Sequence, residues 1–112
     1  ASYVSDAMGR KGREARGGNY FAFEMKLQPG ARSSLMMTYI GDDKGRKFDI
    51  LVDGVKIATE DWEGGKTGHF YDKEYLLPEE LLKDKQVITI RIEANYKRTA
   101  GRVFGVRILK IR

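Results

Sequence analysis

The residues best suited to chemistry in this chain are aromatic and planar polar side chains in its second half. A sugar site needs flat apolar faces beside polar groups that can hold hydroxyls. Both kinds of residue lie in or next to the predicted loops between the later strands, namely Trp62, His69, Tyr71, Tyr75, Asn95, Tyr96 and Arg98. Because the loops of a β-sandwich cluster at its ends, we expect some of these side chains to converge on one carbohydrate site.

Each of these candidates also has a structural interpretation. A tyrosine in a strand is more simply explained as a half-buried sheet residue. A tryptophan in a loop either covers the core or offers a platform to a partner, so Trp62 is the best single candidate. Arg46 lies between two predicted strands, where we expect an ion pair with Asp43 or Asp49 rather than a ligand contact.

Three acidic residues form a weaker candidate site for a metal ion. Loop carboxylates are calcium ligands, and Asp42, Asp43 and Asp49 are close in sequence, although they lack EF-hand spacing. The competing interpretation is that Asp42 and Asp43 stabilise a turn through local backbone hydrogen bonds. We therefore predict no cofactor, with a structural calcium ion as the alternative.

The sequence carries no familiar catalytic motif. It has no HExxH, P-loop or GxSxG pattern, a single histidine and no cysteine. Adjacent carboxylates such as Glu79 and Glu80 are normally solvated, whereas glycoside hydrolysis needs two carboxyl groups about 5–10 Å apart across a cleft. We predict that the domain is not an enzyme. A free-standing hydrolase with two facing carboxylates is the alternative.

Alternation of apolar and polar residues predicts the strands that would position these side chains. Asp53-Gly54 is a strong hairpin signal, and residues 77–82 are typical of one short helical turn. The predicted strands are 20–27, 34–40, 48–52, 55–59, 70–76, 87–94 and 102–111. Seven or eight strands without a tandem repeat indicate an all-β fold, an antiparallel β-sandwich of jelly-roll type. An immunoglobulin-like sandwich is the alternative.

Residues 1–18 differ from the rest of the sequence. They contain scattered basic residues and four glycines without strand periodicity, so we predict a flexible N-terminal segment or linker. Residues 19–112 form the predicted β-sandwich domain, and 112 residues are enough for one domain with one core. Because the sequence begins at Ala1 rather than methionine, we expect it to be a piece of a longer protein.

Composition narrows the choice of partners. The net charge is +5, but the sequence has no ribonucleoprotein, zinc-finger or recognition-helix motif, so we predict no nucleic-acid partner. A polyanion binder, which would need a continuous Lys/Arg face, is the alternative. No apolar run approaches the roughly 20 residues of a membrane span, and we predict no membrane partner.

Three segments resemble a known family. TYIGDDKGRKFDILVDGVKIATE (38–60), FYDKEYLLPEELLKDKQVITIRIEAN (70–95) and TAGRVFGVRIL (99–109) resemble the small C-terminal β-sandwich of glycoside hydrolase family 127 proteins. These are β-L-arabinofuranosidase-like enzymes of bacteria that degrade polysaccharides. The resemblance spans about residues 20–109 and implies a galactose-binding-domain-like sandwich.

The resemblance implies a role without catalysis. In that family the chemistry resembles a cysteine nucleophile beside a zinc ion in a separate barrel domain, and this chain has no cysteine. It implies a non-catalytic accessory domain of a bacterial glycoside hydrolase, secreted or periplasmic, that packs against the catalytic domain of its parent. The alternative is a carbohydrate-binding module that binds plant or host polysaccharide directly.

Overall fold

The chain is almost entirely β-structure in a computed structural model that describes residues 2–111. All strand pairs are antiparallel. In chain order the elements are β1 (Ser2–Ala7), β2 (Arg10–Arg16), β3 (Tyr20–Lys26), β4 (Ser33–Ile40), β5 (Arg46–Val52), β6 (Val55–Trp62), β7 (Phe70–Leu76), α1 (Glu79–Leu82), β8 (Val87–Ala94), β9 (Thr99–Val103) and β10 (Gly105–Lys110).

Two sheets face each other to form a sandwich. One has the strand order β3-β8-β5-β6 and the other β10-β4-β7, while β1-β2-β9 forms a third, smaller sheet. The Tyr39 ring of β4 lies 5.9 Å from the Phe48 ring of β5 and 5.3 Å from the Trp62 ring of β6, measured between centroids. These contacts join the two sheets, and the predicted antiparallel β-sandwich is confirmed.

The strand register places the apolar residues on the inner face. Phe48 pairs with Ala94 and Ile50 with Ile92, and all four side chains are buried. Because successive side chains alternate between the faces of a sheet, a slip of one residue would expose this whole set to water. The alternation of apolar and polar residues in β5 and β8 therefore determines their register as well as their strand conformation.

The N-terminal segment differs from the flexible segment or linker expected from the sequence. Residues 2–16 form the β1–β2 hairpin, and β2 pairs with β9 from the far end of the chain. Ala15 is fully buried, and a Cβ at Gly12 would lie 2.7 Å from the Phe104 ring. A bulge at Arg13 and Glu14 interrupts the register, which explains why no period of two is visible in the sequence.

The described chain contains ten strands rather than the seven or eight predicted. Besides β1 and β2, the strand β9 occupies residues 99–103, most of which lie in a predicted loop. The strand β6 continues to Trp62, beyond its predicted end at residue 59. The predicted helical turn is present as α1, and within residues 2–111 no helix is long and apolar enough to cross a membrane.

The connections gather at two opposite ends of the sandwich. Ile40 pairs with Phe70, and Arg46 with Trp62, so the loops 41–45 and 63–69 lie at the same end. The pairing of Phe48 with Ala94 brings the turn 95–98 there too. We call this the upper end. The lower end carries the connections 27–32, 53–54 and 77–86.

Candidate functional site

Two loops of the upper end are joined through their backbones. The Gly41 amide donates to the His69 carbonyl at 2.9 Å, and the Gly65 amide donates to the Gly41 carbonyl at 3.0 Å. A Cβ at Gly41 would lie 2.1 Å from the Lys66 carbonyl oxygen, so glycine is required there. The loops 41–45 and 63–69 therefore form one fixed surface.

A buried carboxylate connects this surface to β9. Asp43 accepts hydrogen bonds from Arg102 through Nε at 3.0 Å, Nη2 at 3.0 Å and the backbone amide at 3.1 Å. Hydrogen bonding to this carboxylate raises the pKa of the Arg102 guanidinium. Arg46 Nη2 lies 3.3 Å from the same carboxylate, which confirms the predicted structural ion pair between Arg46 and Asp43.

The three acidic residues suggested for calcium do not form a shared site. Asp42 accepts from the Gly68 amide at 2.7 Å, and Asp49 accepts from the Thr59 hydroxyl at 2.8 Å on the sheet face. Asp43 is neutralised by its two arginines. Within residues 2–111 no three His, Cys, Asp or Glu side chains converge as metal ligands would. The calcium alternative is therefore wrong for this set.

Trp62 belongs to the core rather than to a binding surface. Its side chain is only 8% exposed, and its ring centroid lies 5.5 Å from that of Tyr71. Its indole N–H donates to the Ile40 carbonyl at 3.0 Å. Of the two interpretations open to this residue, cover on the core is the one that the structure supports.

Two other candidate tyrosines are half-buried, and their hydroxyl groups are held by hydrogen bonds. The Tyr71 hydroxyl accepts from the Lys66 amide at 2.8 Å. The Tyr75 hydroxyl donates to the Glu60 carboxylate at 2.5 Å and lies 2.7 Å from the Tyr39 hydroxyl. Because the single Tyr75 proton goes to Glu60, Tyr39 is the donor to Tyr75. These half-buried rings pack against the core between the two sheets, which supports the structural interpretation of both tyrosines.

This tyrosine pair predicts a loss of stability in alkali. Desolvation by burial is the main reason that the pKa of Tyr39 and of Tyr75 lies above its usual value near 10. The stability that depends on these protons is complete below about pH 10 and falls at higher pH, because only the unfolded chain then ionises. Each such tyrosine should steepen the decline of the unfolding free energy by about 1.4 kcal/mol per pH unit.

Urea unfolding at several pH values between about 8 and 11 measures this decline. Tyr39→Phe should give a shallower slope than the unchanged chain, while Tyr96→Phe, which alters an exposed ring, should leave the slope as it is. If the unfolding free energy fell equally steeply with pH in all three proteins, the conclusion that burial raises the pKa of Tyr39 would be wrong.

The turn 95–98 presents the one candidate aromatic side chain that is open to solvent. Tyr96 is 83% exposed at the tip of this turn, and Lys97 after it has a φ of 58°. The Asn95 amide donates to the Lys47 carbonyl at 3.1 Å, and the Arg98 amide donates to the Asn95 carbonyl at 3.0 Å. The Tyr96 ring is therefore exposed on a backbone that hydrogen bonds hold in place.

Charged side chains lie on and next to this turn. Arg98 Nε donates to the Gly45 carbonyl at 3.1 Å, which fixes the guanidinium beside the turn. The hydrogen bond with Asp61 raises the pKa of the Glu63 carboxyl, while Arg98 acts on that carboxyl in the opposite direction. Lys97 Nζ lies 5.4 Å from the Tyr96 ring centroid. An exposed ring, a guanidinium and a carboxylate pair thus share one surface.

The structure divides the seven sequence candidates into two groups. Asn95, Tyr96 and Arg98 lie together on one turn, and His69 is exposed on the neighbouring loop. The other three, Trp62, Tyr71 and Tyr75, point into the sandwich. The sequence alone does not indicate Asp61 and Glu63, because the approach of Glu63 to Arg98 depends on the pairing of β5 with β6.

Comparisons with known proteins identify one family by sequence and two solved structures with a similar fold. The family model described as "Family of unknown function (DUF6805)" matches residues 6–109. A family 35 carbohydrate binding module from Clostridium thermocellum is similar in structure, with a TM-score of 0.72 and 13% identity over 98% of this chain and 88% of that chain. Another, from an environmental isolate, has a TM-score of 0.62 and 12% identity over 84% and 67% of the two chains. Curated protein sequences give no match.

Proposed function

We propose that this chain, which belongs to the DUF6805 family, is a carbohydrate-binding domain without a catalytic role. The observation that carries the proposal is the Tyr96 ring, 83% exposed on a hydrogen-bonded turn beside the fixed Arg98 guanidinium. The similarity of the fold to carbohydrate binding modules supports it. Polysaccharide is the proposed partner.

The chemistry of this surface suits a sugar. The apolar C–H face of a pyranose or furanose ring can rest on the flat, exposed face of Tyr96. Hydroxyl groups of the sugar can accept from Arg98 and donate to Glu63. Because the turn 95–98 is held before binding, little conformational entropy is lost on contact.

Replacement of Tyr96 tests the proposal directly. We expect the domain to be retarded in affinity gels that contain its polysaccharide, and Tyr96→Ala to weaken binding by about tenfold or more, since each factor of ten is 1.4 kcal/mol. The screen should cover plant and microbial polysaccharides. Tyr3→Ala is the matched control, because Tyr3 is also exposed, at 50%, but lies on β1.

The test compares the retardation of Tyr96→Ala with that of Tyr3→Ala in the same affinity gel. Retardation that survives Tyr96→Ala, or is lost equally in Tyr3→Ala, would argue against a site on the turn 95–98. The absence of binding to every glycan would overturn the function itself.

A second proposal follows the resemblance to family 127 proteins. The β1–β2 hairpin exposes Tyr3, Val4 and Met8, with 66% of Met8 open to solvent. We infer that this hairpin packs, through exposed apolar side chains such as Met8, against the catalytic domain of a secreted or periplasmic glycoside hydrolase.

The full-length parent protein tests this packing. Met8→Asp should lower the melting temperature of the parent, because it places a charge in the contact, and should leave the melting temperature of the isolated domain unchanged. An unchanged melting temperature in the parent would argue against the contact.

A further inference from the structure

A cleft of about 700 Å³ opens at the lower end of the sandwich, away from the turn that carries Tyr96. One wall is the β3–β4 connection, residues 27–32, and the other is formed by residues 79–86, which include α1. Its volume lies within the range of about 300–1,000 Å³ that is usual for small-ligand sites. The proposed site at Tyr96 does not use this cleft.

Hydrogen bonds fix both walls. The Leu27 amide donates to the Gln86 carbonyl at 2.8 Å and joins the walls at their base. Lys85 Nζ lies 2.6 Å from the Asp53 carboxylate, whose other oxygen accepts from the Thr89 amide at 2.8 Å. The hydrogen bond with Lys85 lowers the pKa of the Asp53 carboxyl. The cleft is therefore present before any ligand arrives.

One ion pair spans the two walls near the solvent. Arg32 Nε lies 2.9 Å from the Glu79 carboxylate, and both side chains are well exposed. An exposed pair of this kind contributes little to stability, about 0–1 kcal/mol. Its relevance is geometric, because it marks where the two walls approach each other at the entrance of the cleft.

The lining carries polar groups that the protein itself does not use. Five polar side chains of the cleft make no side-chain hydrogen bond or ion pair with the rest of residues 2–111: Gln28, Glu80, Lys83, Asp84 and Gln86. Half-buried Leu27 and Leu82 supply apolar surface between them. The cleft thus combines unused donors and acceptors with apolar surface.

The balance of these groups indicates the class of ligand. Three basic and three acidic side chains line the cleft, so their charges cancel and neither anions nor cations are favoured. Amides, carboxylates and an ammonium group offer donors and acceptors together, and a hydroxyl group, which is both, can pair with any of them. No aromatic ring is among the lining residues of the described chain, so the ligand must be held by hydrogen bonds rather than stacking.

We propose that the lower-end cleft is a second binding site, which takes a short neutral saccharide through the side chains of Gln28, Glu80, Lys83, Asp84 and Gln86. The site is independent of the turn 95–98 and would remain if the Tyr96 site failed. The domain measures 38 Å along its longest axis, so two such sites would allow it to hold two glycan chains at once.

Amide chemical-shift mapping separates the two sites in one titration. The uniformly ¹⁵N-labelled domain is titrated with neutral mono- and disaccharides to about 50 mM, which detects dissociation constants in the millimolar range. We expect saturable shifts for amides of 28–32 and 83–86, both in the unchanged chain and in Tyr96→Ala. Glu80→Ala should weaken these shifts about tenfold, whereas Glu24→Ala, an exposed carboxylate of β3, should not.

Shifts confined to 28–32 and 83–86 would support the second site and remove the Tyr96 proposal alone. Shifts confined to 95–98 would overturn the second site and leave the Tyr96 site as the only one. A cleft that responds to no neutral saccharide, or equally in Glu80→Ala and Glu24→Ala, would also contradict the proposal.

Discussion

Trp62→Ala should lower the free energy of unfolding by about 3–5 kcal/mol, the usual cost of deleting a buried aromatic side chain. The ring lies between Tyr39 and Tyr71, with centroid distances of 5.3 and 5.5 Å, so its loss leaves a cavity where β4, β6 and β7 meet. The Ile40 carbonyl also loses one of its two donors, while the Asp43 amide at 3.3 Å remains. For a domain of this size, that is a large part of a total stability of about 5–15 kcal/mol.

Urea unfolding followed by circular dichroism measures this loss. Trp62→Phe keeps most of the apolar volume and should be intermediate, while Tyr96→Ala should stay within about 0.5 kcal/mol of the unchanged chain, since it removes only exposed surface. A near-normal urea midpoint for Trp62→Ala would show that the ring is not in the core. The same result matters for glycan screens, because loss of binding in Trp62→Ala would reflect unfolding rather than a lost contact.

Asp43→Ala should destabilise the domain by about 3–5 kcal/mol, because it removes one partner of a buried ion pair and leaves the other charge uncompensated. Asp43 is the acceptor for Arg102 and Arg46, whose side chains are largely buried themselves. The Arg102 amide would also lose its acceptor. The upper-end loops and β9 are joined through this carboxylate, so the substitution should loosen both.

The control for this substitution is Asp49→Ala. Asp49 has one hydrogen bond, to Thr59, on the outer face of the sheet, and its loss should cost about 1 kcal/mol or less. Asp43→Asn keeps an oxygen acceptor and should fall between the two. Equal midpoints for Asp43→Ala and Asp49→Ala would mean that the Asp43 cluster contributes no more than a surface contact.

The sequence was most informative where one face of a strand is apolar and the other polar. In β8 the alternation predicts both the strand and its buried face, because Ile90 and Ile92 each have polar neighbours along the chain. It was least informative in β2, where the bulge at Arg13 breaks the period and a buried glycine replaces an apolar side chain. Pairing with β9 stabilises β2, and no local pattern reports such a distant partner.

The candidate site was predictable only in part. Asn95, Tyr96 and Arg98 are adjacent in sequence, so one polar turn is enough to bring them together. The burial of Tyr75 depends instead on Glu60 from a strand of the opposite sheet, whose carboxylate gives the hydroxyl its partner. The β5–β6 pair also contains a register shift, which changes the position of the end of β6 relative to β5. Trp62 lies at that end, so the alternation of apolar and polar residues in the sequence does not predict where its side chain lies. The burial of Tyr75 and the position of Trp62 are therefore determined by tertiary contacts.

The pairing of β2 with β9 and of β4 with β10 has a consequence for how the chain folds. Both pairs join early and late parts of the sequence, so the entropy of closing a long loop is lost before their hydrogen bonds form. Folding should accordingly take milliseconds to seconds, as in other proteins with few local contacts. During synthesis β1 and β2 leave the ribosome before the other strands of this domain, yet they remain without their partner until β9 follows, so the hairpin is among the last parts to dock.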